Sequence, residues 1–254
     1  VGGLTITQLS EKHEAANPPL SINIQADGFE AELRRMIRRP RGKILQEDYD
    51  RVGGVEARSV NGSTANIKDI RFVENLRNLT YLEIVTQPIS DLRPLVNCQK
   101  LTDIYIKNSK NISNIQELAN LPNLTELAMD NMSHLKRPEL TLAKLKNLKE
   151  LRLVFGTNPK DWSFIKNLNK LEKLFANPDA DFPTISQLKT LKELVVHCDL
   201  GANQLPGLDQ FKDFQHLEKL SIWFFDTKRN ISDNDLNQLR AMLPNTEVVV
   251  TGGN

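Results

Sequence analysis

The stretch Leu124-Thr-Glu-Leu127-Ala-Met129 decides the fold, because its Leu-x-x-Leu-x-Leu frame returns along the chain. The first residue of successive frames advances by 22, 23, 24, 23, 20 and 26 residues. In this frame alternate apolar residues point to one side of a short strand. A single unit buries almost nothing, so the fixed period indicates stacked units that share one core. The other copies are Leu79–Ile84, Leu101–Ile106, Leu148–Leu153, Leu171–Ala176, Leu191–Val196 and Leu217–Ile222, with a degenerate copy at Val52–Ala57 and a ragged one at Leu243–Val250.

Composition agrees with a repeat and excludes several classes of protein. The chain has 254 residues and 36 Leu, of which 31 follow residue 75, so the Leu excess belongs to the repeats. A net charge of +1 argues against binding of nucleic acid or anionic membrane by bulk charge. The sequence has no apolar run near the roughly 20 residues of a membrane helix and no signal-peptide layout. We therefore expect a cytosolic chain or the mature part of an exported one. Two cysteines are too few for a disulfide framework or a zinc site.

The segments between the frames predict short helical turns. Spacings such as Ile89-Ser-Asp-Leu92 suit a turn followed by one or two tight helical turns. The 20-residue step contains Pro178-Asp-Ala-Asp-Phe-Pro183 and is predicted to be non-helical, whereas the 26-residue step should carry a longer segment near Leu208–Phe214. Ser232 or Asp233 can cap a closing helix that ends before Pro244 and leads to a last strand.

The frame resembles the leucine-rich-repeat family, and its short Ile-x-Asp-Leu form resembles the bacterial internalin-like branch. The stretch Phe29–Ile37, followed by Gly42-Lys-Ile44-Leu-Gln-Glu47-Asp48-Tyr49, resembles the helical N-terminal cap of that branch, with Tyr49 in place of a Leu. The resemblance implies an α/β solenoid with a curved parallel sheet on the concave face, short helices and 3-10 turns on the convex face, and a helical cap. The family's Asn after the strand is replaced by Gln87, Ser109, Met132 and Gly156, so a regular Asn ladder is absent.

These signals divide the chain into four parts. Residues 1–23 match no known pattern and form a lead or linker, and residues 24–51 form the cap. About eight repeat turns fill residues 52–232, and residues 233–254 supply the closing helix and strand. A solenoid needs such terminal units because its end turns would otherwise expose their apolar edge.

The face of the sheet opposite the core carries the candidate binding residues. Each frame projects three residues there, and aromatic and Val residues gather in these positions. An apolar row on an open face is costly in water unless a partner covers it, and Trp and Tyr are typical interface residues. A register slip of one residue would instead bury them in the core. The candidates are Tyr81, Val85, Tyr105, Arg152, Val154, Phe175, Val195, His197, Trp223 and Phe225.

A basic run in the cap is a second candidate site. Its residues are the solvated face of the cap helix or a local contact for an anion such as a phosphate, an acidic glycan or a lipid headgroup. The run contains Arg34, Arg38, Arg39 and Arg41.

Motifs for catalysis are missing from the sequence. We find no phosphate-binding loop, dinucleotide fingerprint, metalloprotease His pair or calcium loop. His197 and Cys198 are neighbours, but adjacent strand residues point to opposite faces, so they cannot act as a catalytic pair. We expect no enzymatic activity, no cofactor and no metal.

The leading hypothesis is a module that recognises a protein partner through the concave face, as the internalin-like resemblance implies, and that is bacterial, monomeric, and secreted or on the cell surface. The first alternative is a cytoplasmic regulatory or scaffold leucine-rich-repeat protein. The second is the substrate-recognition part of a larger enzyme. We expect no nucleic-acid binding and no membrane insertion, and the sequence does not name the partner.

Overall fold

The chain forms one sheet of ten parallel strands whose spatial order follows the sequence. The computed structural model describes residues 19–24, 28–58, 66–198, 205–224 and 231–251. Every strand pairs with its neighbours in the sequence, as a stack of successive turns requires. The strands are β1 (Leu20–Asn23), β2 (Val52–Arg58), β3 (Tyr81–Val85), β4 (Asp103–Lys107), β5 (Glu126–Asp130), β6 (Glu150–Val154), β7 (Lys173–Ala176), β8 (Glu193–Cys198), β9 (Lys219–Phe224) and β10 (Glu247–Thr251).

Short helices connect the strands. The α-helices are α1 (Gly28–Met36), α2 (Gln46–Tyr49), α3 (Glu139–Leu142), α4 (Phe182–Ile185) and α5 (Asp233–Met242). The 3-10 helices are Arg71–Asn75, Arg93–Asn97, Gln116–Asn120, Ser163–Asn167 and Leu208–Phe211. The predicted combination of a parallel sheet with short helices and 3-10 turns is confirmed.

The Leu frame builds the core as the pattern predicts. In β3, Leu82 and Ile84 are fully buried, and the preceding Leu79 is buried with them. The same inward positions of every described turn join one continuous apolar core that runs from Ile22 to Val248. Burial of each such side chain contributes roughly 1.5–3 kcal/mol, so the stacked turns, and not any one turn, stabilise the fold.

The residue that follows each of four successive strands adopts a left-handed backbone conformation. The φ angles are 55° at Thr86, 53° at Asn108, 56° at Asn131 and 54° at Phe155. Asn tolerates this region, whereas a β-branched or bulky residue is strained there. The chain turns at these residues from the sheet toward the connecting segment, so Phe155 leaves β6 with its ring next to the open face of the sheet.

Buried polar groups replace a regular Asn ladder behind the strands. Gln87 accepts a hydrogen bond from the Ile67 amide at 2.9 Å, and Thr157 Oγ1 accepts one from the Met132 amide at 2.8 Å. Asn177 Nδ2 donates to the Thr157 carbonyl at 3.2 Å. These side chains satisfy backbone groups that the turns leave unpaired inside the core.

The 20-residue step differs from the prediction, because it contains helix α4 where the sequence predicts none. The Asp181 side chain accepts hydrogen bonds from the Thr184 amide at 3.1 Å and from the Thr184 hydroxyl at 2.6 Å. Pro183 lies in the first helical turn, where a missing N–H costs nothing. The prolines therefore start this helix and do not prevent it.

The two ends of the sheet differ from the repeats. Strand β1 lies within the lead segment and pairs with β2 through Ile22 and Val55. Helix α1 buries Phe29 and Leu33, whereas Met36 is 38% exposed. At the other end, the Ser232 hydroxyl accepts a hydrogen bond from the Asp235 amide at 3.1 Å and so caps α5.

Candidate interaction surface on the open face of the sheet

The face of the sheet opposite the core, called here the open face, carries three positions per strand. The strand pairing confirms the predicted register, since Tyr81, Asp103, Glu126 and Glu150 stand directly beside one another in successive strands. We call these the first positions. The second positions include Glu83, Tyr105, Ala128, Arg152 and Phe175, and the third include Val85, Lys107, Asp130 and Val154.

Two tyrosines form a half-buried platform on β3 and β4. The ring centroids of Tyr81 and Tyr105 are 5.7 Å apart. The Tyr81 hydroxyl donates to Glu83 at 2.6 Å, and Arg58 donates to the same carboxylate. Burial and the Glu83 carboxylate raise the pKa of Tyr81 above its usual value. The hydroxyl therefore stays protonated at physiological pH and keeps its hydrogen bond to Glu83.

Three carboxylates follow the tyrosines along the first positions of β4, β5 and β6. Asp103, Glu126 and Glu150 are adjacent in register and half-buried. Tyr105 donates its hydroxyl to Glu126 at 3.1 Å, and burial together with Glu126 raises the pKa of Tyr105 to about 12. Burial and the neighbouring Asp103 raise the pKa of Glu126. The row is thus a local concentration of negative charge in a chain of net charge +1.

Cations lie over aromatic rings in the centre of the open face. Arg152 donates to Asp130 at 2.9 Å, and its guanidinium carbon lies 5.1 Å from the centroid of Phe175. Lys107 Nζ lies 5.4 Å from the centroid of Phe155, and Lys173 Nζ lies 5.0 Å from that of Phe175. Cation–π contacts of this kind contribute about 0.5–1 kcal/mol at exposed sites, so they fix the rings and the charges together.

An imidazole is enclosed between two rings at the C-terminal part of the face. The His197 ring centroid is 4.5 Å from that of Phe155 and 4.0 Å from that of Trp223, both in edge arrangements. His197 has no exposed area, and neither ring nitrogen has a hydrogen-bond partner within the described ranges. Burial, followed by the charges of Arg152 and Lys107, lowers the pKa of His197 to about 4. The imidazole is therefore neutral near pH 7.

Burial corrects the predicted exposure of three candidates. Val154 and His197 are fully buried, and Val195 is 7% exposed, although all three lie on the open face as predicted. For His197 the reason is local cover, because the rings of Phe155 and Trp223 pack against its imidazole. The remaining described candidates are half-buried, and Phe225 lies outside the described residues. They are Tyr81, Val85, Tyr105, Arg152, Phe175 and Trp223.

Sequence reasoning missed two features of this face. Phe155 follows its strand and so falls outside the alternating frame, although its place in a row of left-handed residues otherwise filled by Thr or Asn is a usable signal. Ala128, with its small side chain between Tyr105 and Arg152, leaves a hollow of about 210 Å³. Neighbouring side chains of different size on four strands, β3 to β6, create this hollow, which a single frame does not reveal.

The basic run of the cap is only partly available for an anion. Arg34 pairs with Glu30 at 2.8 Å, and Arg39 pairs with the buried Asp48 at 2.6 Å. Arg38 and Arg41 are exposed, and neither forms an ion pair within the described ranges. An anion contact in this run stays a prediction, and of its four arginines Arg38 and Arg41 are the two free to make it.

The described part of the chain contains no group of three or more His, Cys, Asp or Glu that could hold a metal ion. His197 lies on the open face, whereas its neighbour Cys198 packs in the core. No helix in the described ranges is both long enough and apolar enough to cross a membrane.

Comparison with solved structures places this architecture. An internalin (inlF) of Listeria monocytogenes matches with a TM-score of 0.61 and 24% identity over 91% of this chain and 69% of that protein. Internalin C2 of the same organism matches with a TM-score of 0.56 and 21% identity over 82% of this chain and 84% of that protein. A leucine-rich-repeat protein of Leptospira interrogans matches with a TM-score of 0.51 and 20% identity over 82% of this chain and 57% of that protein.

The chain has a leucine-rich-repeat fold. This leucine-rich-repeat solenoid is internalin-like in architecture, as its sequence predicts. No family model matches the sequence, and no curated protein sequence matches it. At these identities the likeness concerns the fold, and the function has to be argued from the surface.

Proposed function

We propose that this leucine-rich-repeat chain is a non-catalytic recognition module that binds a protein partner through the open face, which the fold makes concave. One observation carries the proposal: half-buried Tyr81, Tyr105, Phe175 and Trp223 lie outward along that face with Arg152 among them. Tyr, Trp and Arg supply most binding energy at protein interfaces. A row of such residues on one face is typical of an interaction surface and not of a solvated sheet.

The burial pattern sorts the candidates into two roles. We assign direct contact to Tyr81, Val85, Tyr105, Arg152, Phe175 and Trp223. We assign a supporting role to Val154, Val195 and His197 because they are buried, and His197 packs against the rings of Phe155 and Trp223. Preorganised rings lose little freedom on binding, which favours affinity.

We further propose a monomer that acts without a cofactor and is secreted or exposed at a bacterial cell surface. The internalin-like fold supports this location. A cytoplasmic regulatory module or the recognition part of a larger enzyme would use the same face. The full-length gene product separates these alternatives, because a signal peptide and wall anchor favour the first and an adjoining catalytic domain favours the last.

Affinity capture with matched variants tests the proposal. The intact chain and the double variant Trp223→Ala with Phe175→Ala are immobilised, and retained proteins are identified by mass spectrometry. The control Leu140→Ala also removes exposed apolar surface, from a residue that is 52% exposed outside the sheet. We expect the double variant to fold, as judged by circular dichroism, and to lose a protein that wild type and Leu140→Ala retain. Equal retention by all three, or unfolding of the double variant, would refute the assigned contact surface.

A further inference from the structure

The three carboxylates of the first positions differ from the other carboxylates on the open face. Every other described carboxylate on this face has a cationic partner: Glu56 and Glu83 with Arg58, Asp130 with Arg152, Glu193 with Lys173, and Glu247 with Lys219. Asp103, Glu126 and Glu150 form no ion pair with a described residue. We call these three residues the acidic row.

The arrangement of the acidic row is unfavourable in the free protein. In a parallel sheet, neighbouring strands lie about 4.8 Å apart, so residues in register approach closely. Like charges placed side by side across strands destabilise a sheet. Lys173 is the in-register neighbour of Glu150, but it pairs with Glu193 at 3.2 Å and lies over Phe175. Two neutral hydroxyls give partial relief: Tyr105 donates to Glu126 at 3.1 Å, and Thr102 donates to Asp103 at 2.5 Å.

A hollow adjoins the acidic row and limits what can enter. Ala128 forms part of its wall between Tyr105 and Arg152, and its volume is about 210 Å³. The carboxylates of Glu83, Asp130 and Glu150 line it, and Glu126 lies beside it as the in-register neighbour of Glu150. This is below the roughly 300 Å³ at which small-molecule pockets begin, but it accommodates one side chain of a protein. Of the two lining cations, Arg152 is held by Asp130 and Lys107 lies over Phe155.

The shape and the charge of this place select one kind of side chain. Arginine and lysine combine an apolar stem with a cationic head, and such side chains bury the stem while the head meets charge. The wall of Tyr105 and Ala128 suits the stem, and the carboxylates of Glu126 and Glu150 suit the head. A guanidinium can donate to two carboxylates at once, which a point charge does less well.

We propose that the acidic row and the Ala128 hollow dock a basic segment of the protein partner, with an arginine or lysine side chain in the hollow and its cation between Glu126 and Glu150. The inference rests on the proposed function and adds the chemistry of the partner. The partner charge then relieves the repulsion within the row, so binding removes a cost that the free protein carries.

A defined peptide pair tests the docking directly. The probe is an acetylated and amidated Gly-Arg-Gly-Arg-Gly peptide, and its match replaces both arginines by the neutral isostere citrulline. Each is titrated into isotopically labelled full-length chain and followed by amide chemical shifts. We expect shifts centred on β4, β5 and β6 at millimolar peptide. The citrulline peptide should bind at least about five-fold more weakly than the arginine peptide, because it offers neutral hydrogen bonds where the arginine offers charge-assisted ones.

Three variants locate the effect. Glu126→Gln with Glu150→Gln should abolish the preference for arginine and should leave the free protein equally or more stable, because the repulsion is removed. Ala128→Leu should fill the hollow and weaken the arginine peptide. The control Glu74→Gln with Glu117→Gln removes the same amount of charge from two 3-10 helices. It should change neither the preference for arginine nor the affinity for the arginine peptide.

The outcomes separate this inference from the proposed function. Equal binding of the two peptides, shifts outside β4–β6, or an arginine preference that survives the Glu126 and Glu150 changes would overturn the docking of a basic segment. Preferential binding of a Gly-Glu-Gly-Glu-Gly peptide at the same strands would overturn it in favour of an anionic partner held by Lys107 and Arg152. In either case, loss of a captured partner on Trp223→Ala with Phe175→Ala would leave the recognition function standing.

Discussion

Replacement of His197 by Phe should remove most of the pH dependence that this one residue gives to stability. The variant keeps an aromatic ring between Phe155 and Trp223 but deletes both ring nitrogens. An unfolded imidazole titrates near a pKa of about 6.5, whereas the pKa of His197 in the folded chain is lowered to about 4. The folded state therefore resists protonation, and its stability is full above pH 6.5 and falls as the pH drops toward 4.

The size of this effect follows from the two pKa values. Each unit of difference between the two pKa values corresponds to about 1.4 kcal/mol. Protonation of the unfolded chain therefore lowers the free energy of unfolding by on the order of 3 kcal/mol at pH 4. Both nitrogens of His197 are buried without a hydrogen-bond partner within the described ranges. Removal of that buried polar group should therefore stabilise His197→Phe at pH 7 by about 1–3 kcal/mol.

Urea unfolding of wild type and variant from pH 4 to pH 7.5 measures the difference in the free energy of unfolding. Subtraction cancels the carboxylates, which titrate in both proteins. The smaller variant His197→Leu separates loss of titration from a tight fit of the Phe ring. If His197→Phe retains the wild-type loss between pH 6.5 and 4, or if the His197 Cε1 resonance titrates near 6.5, the assignment of a buried neutral imidazole is wrong.

Two further predictions concern buried polar contacts. Thr157→Val should destabilise the chain by about 1–3 kcal/mol in urea unfolding, because the buried Met132 amide loses its acceptor at 2.8 Å, whereas the exposed Thr80→Val should cost about 0.5 kcal/mol or less. Asp48→Asn should lower the free energy of unfolding by about 2 kcal/mol and speed amide exchange across α1, because it removes the carboxylate charge to which Arg39 donates a hydrogen bond at 2.6 Å. Unchanged exchange would show that the Arg39–Asp48 pair does not hold the N-terminal end together.

The sequence predicted the sheet well because the frame repeats a local rule. A slip of one residue would move every Leu of the frame from the core to the solvent face, so the register of β3–β9 follows from the spacing alone. The position of Tyr81, Asp103, Glu126 and Glu150 in one row followed in the same way. The two prolines of the 20-residue step predict no helix, because proline interrupts a helix interior, whereas Pro183 lies in the first turn of α4, where proline is favoured.

The exposure of the candidate site could not be predicted from the frame. Whether His197 meets solvent depends in part on Phe155, which packs against it, lies outside the alternating positions and has a left-handed backbone. The hollow at Ala128 depends in turn on side chains from four strands. Such properties arise between turns that are about 23 residues apart, whereas the repeat pattern describes one turn at a time.

The strictly sequential order of the ten strands has a consequence for how the molecule responds to a partner. Each turn is held only by the turns before and after it, so local opening can begin at one turn without melting the others. A ligand that touches β4–β6 and also Trp223 on β9 would tie together turns that otherwise open independently. Its binding would then stabilise all of these turns together, so that resistance to forced unfolding or proteolysis would report how much of the chain has partner bound.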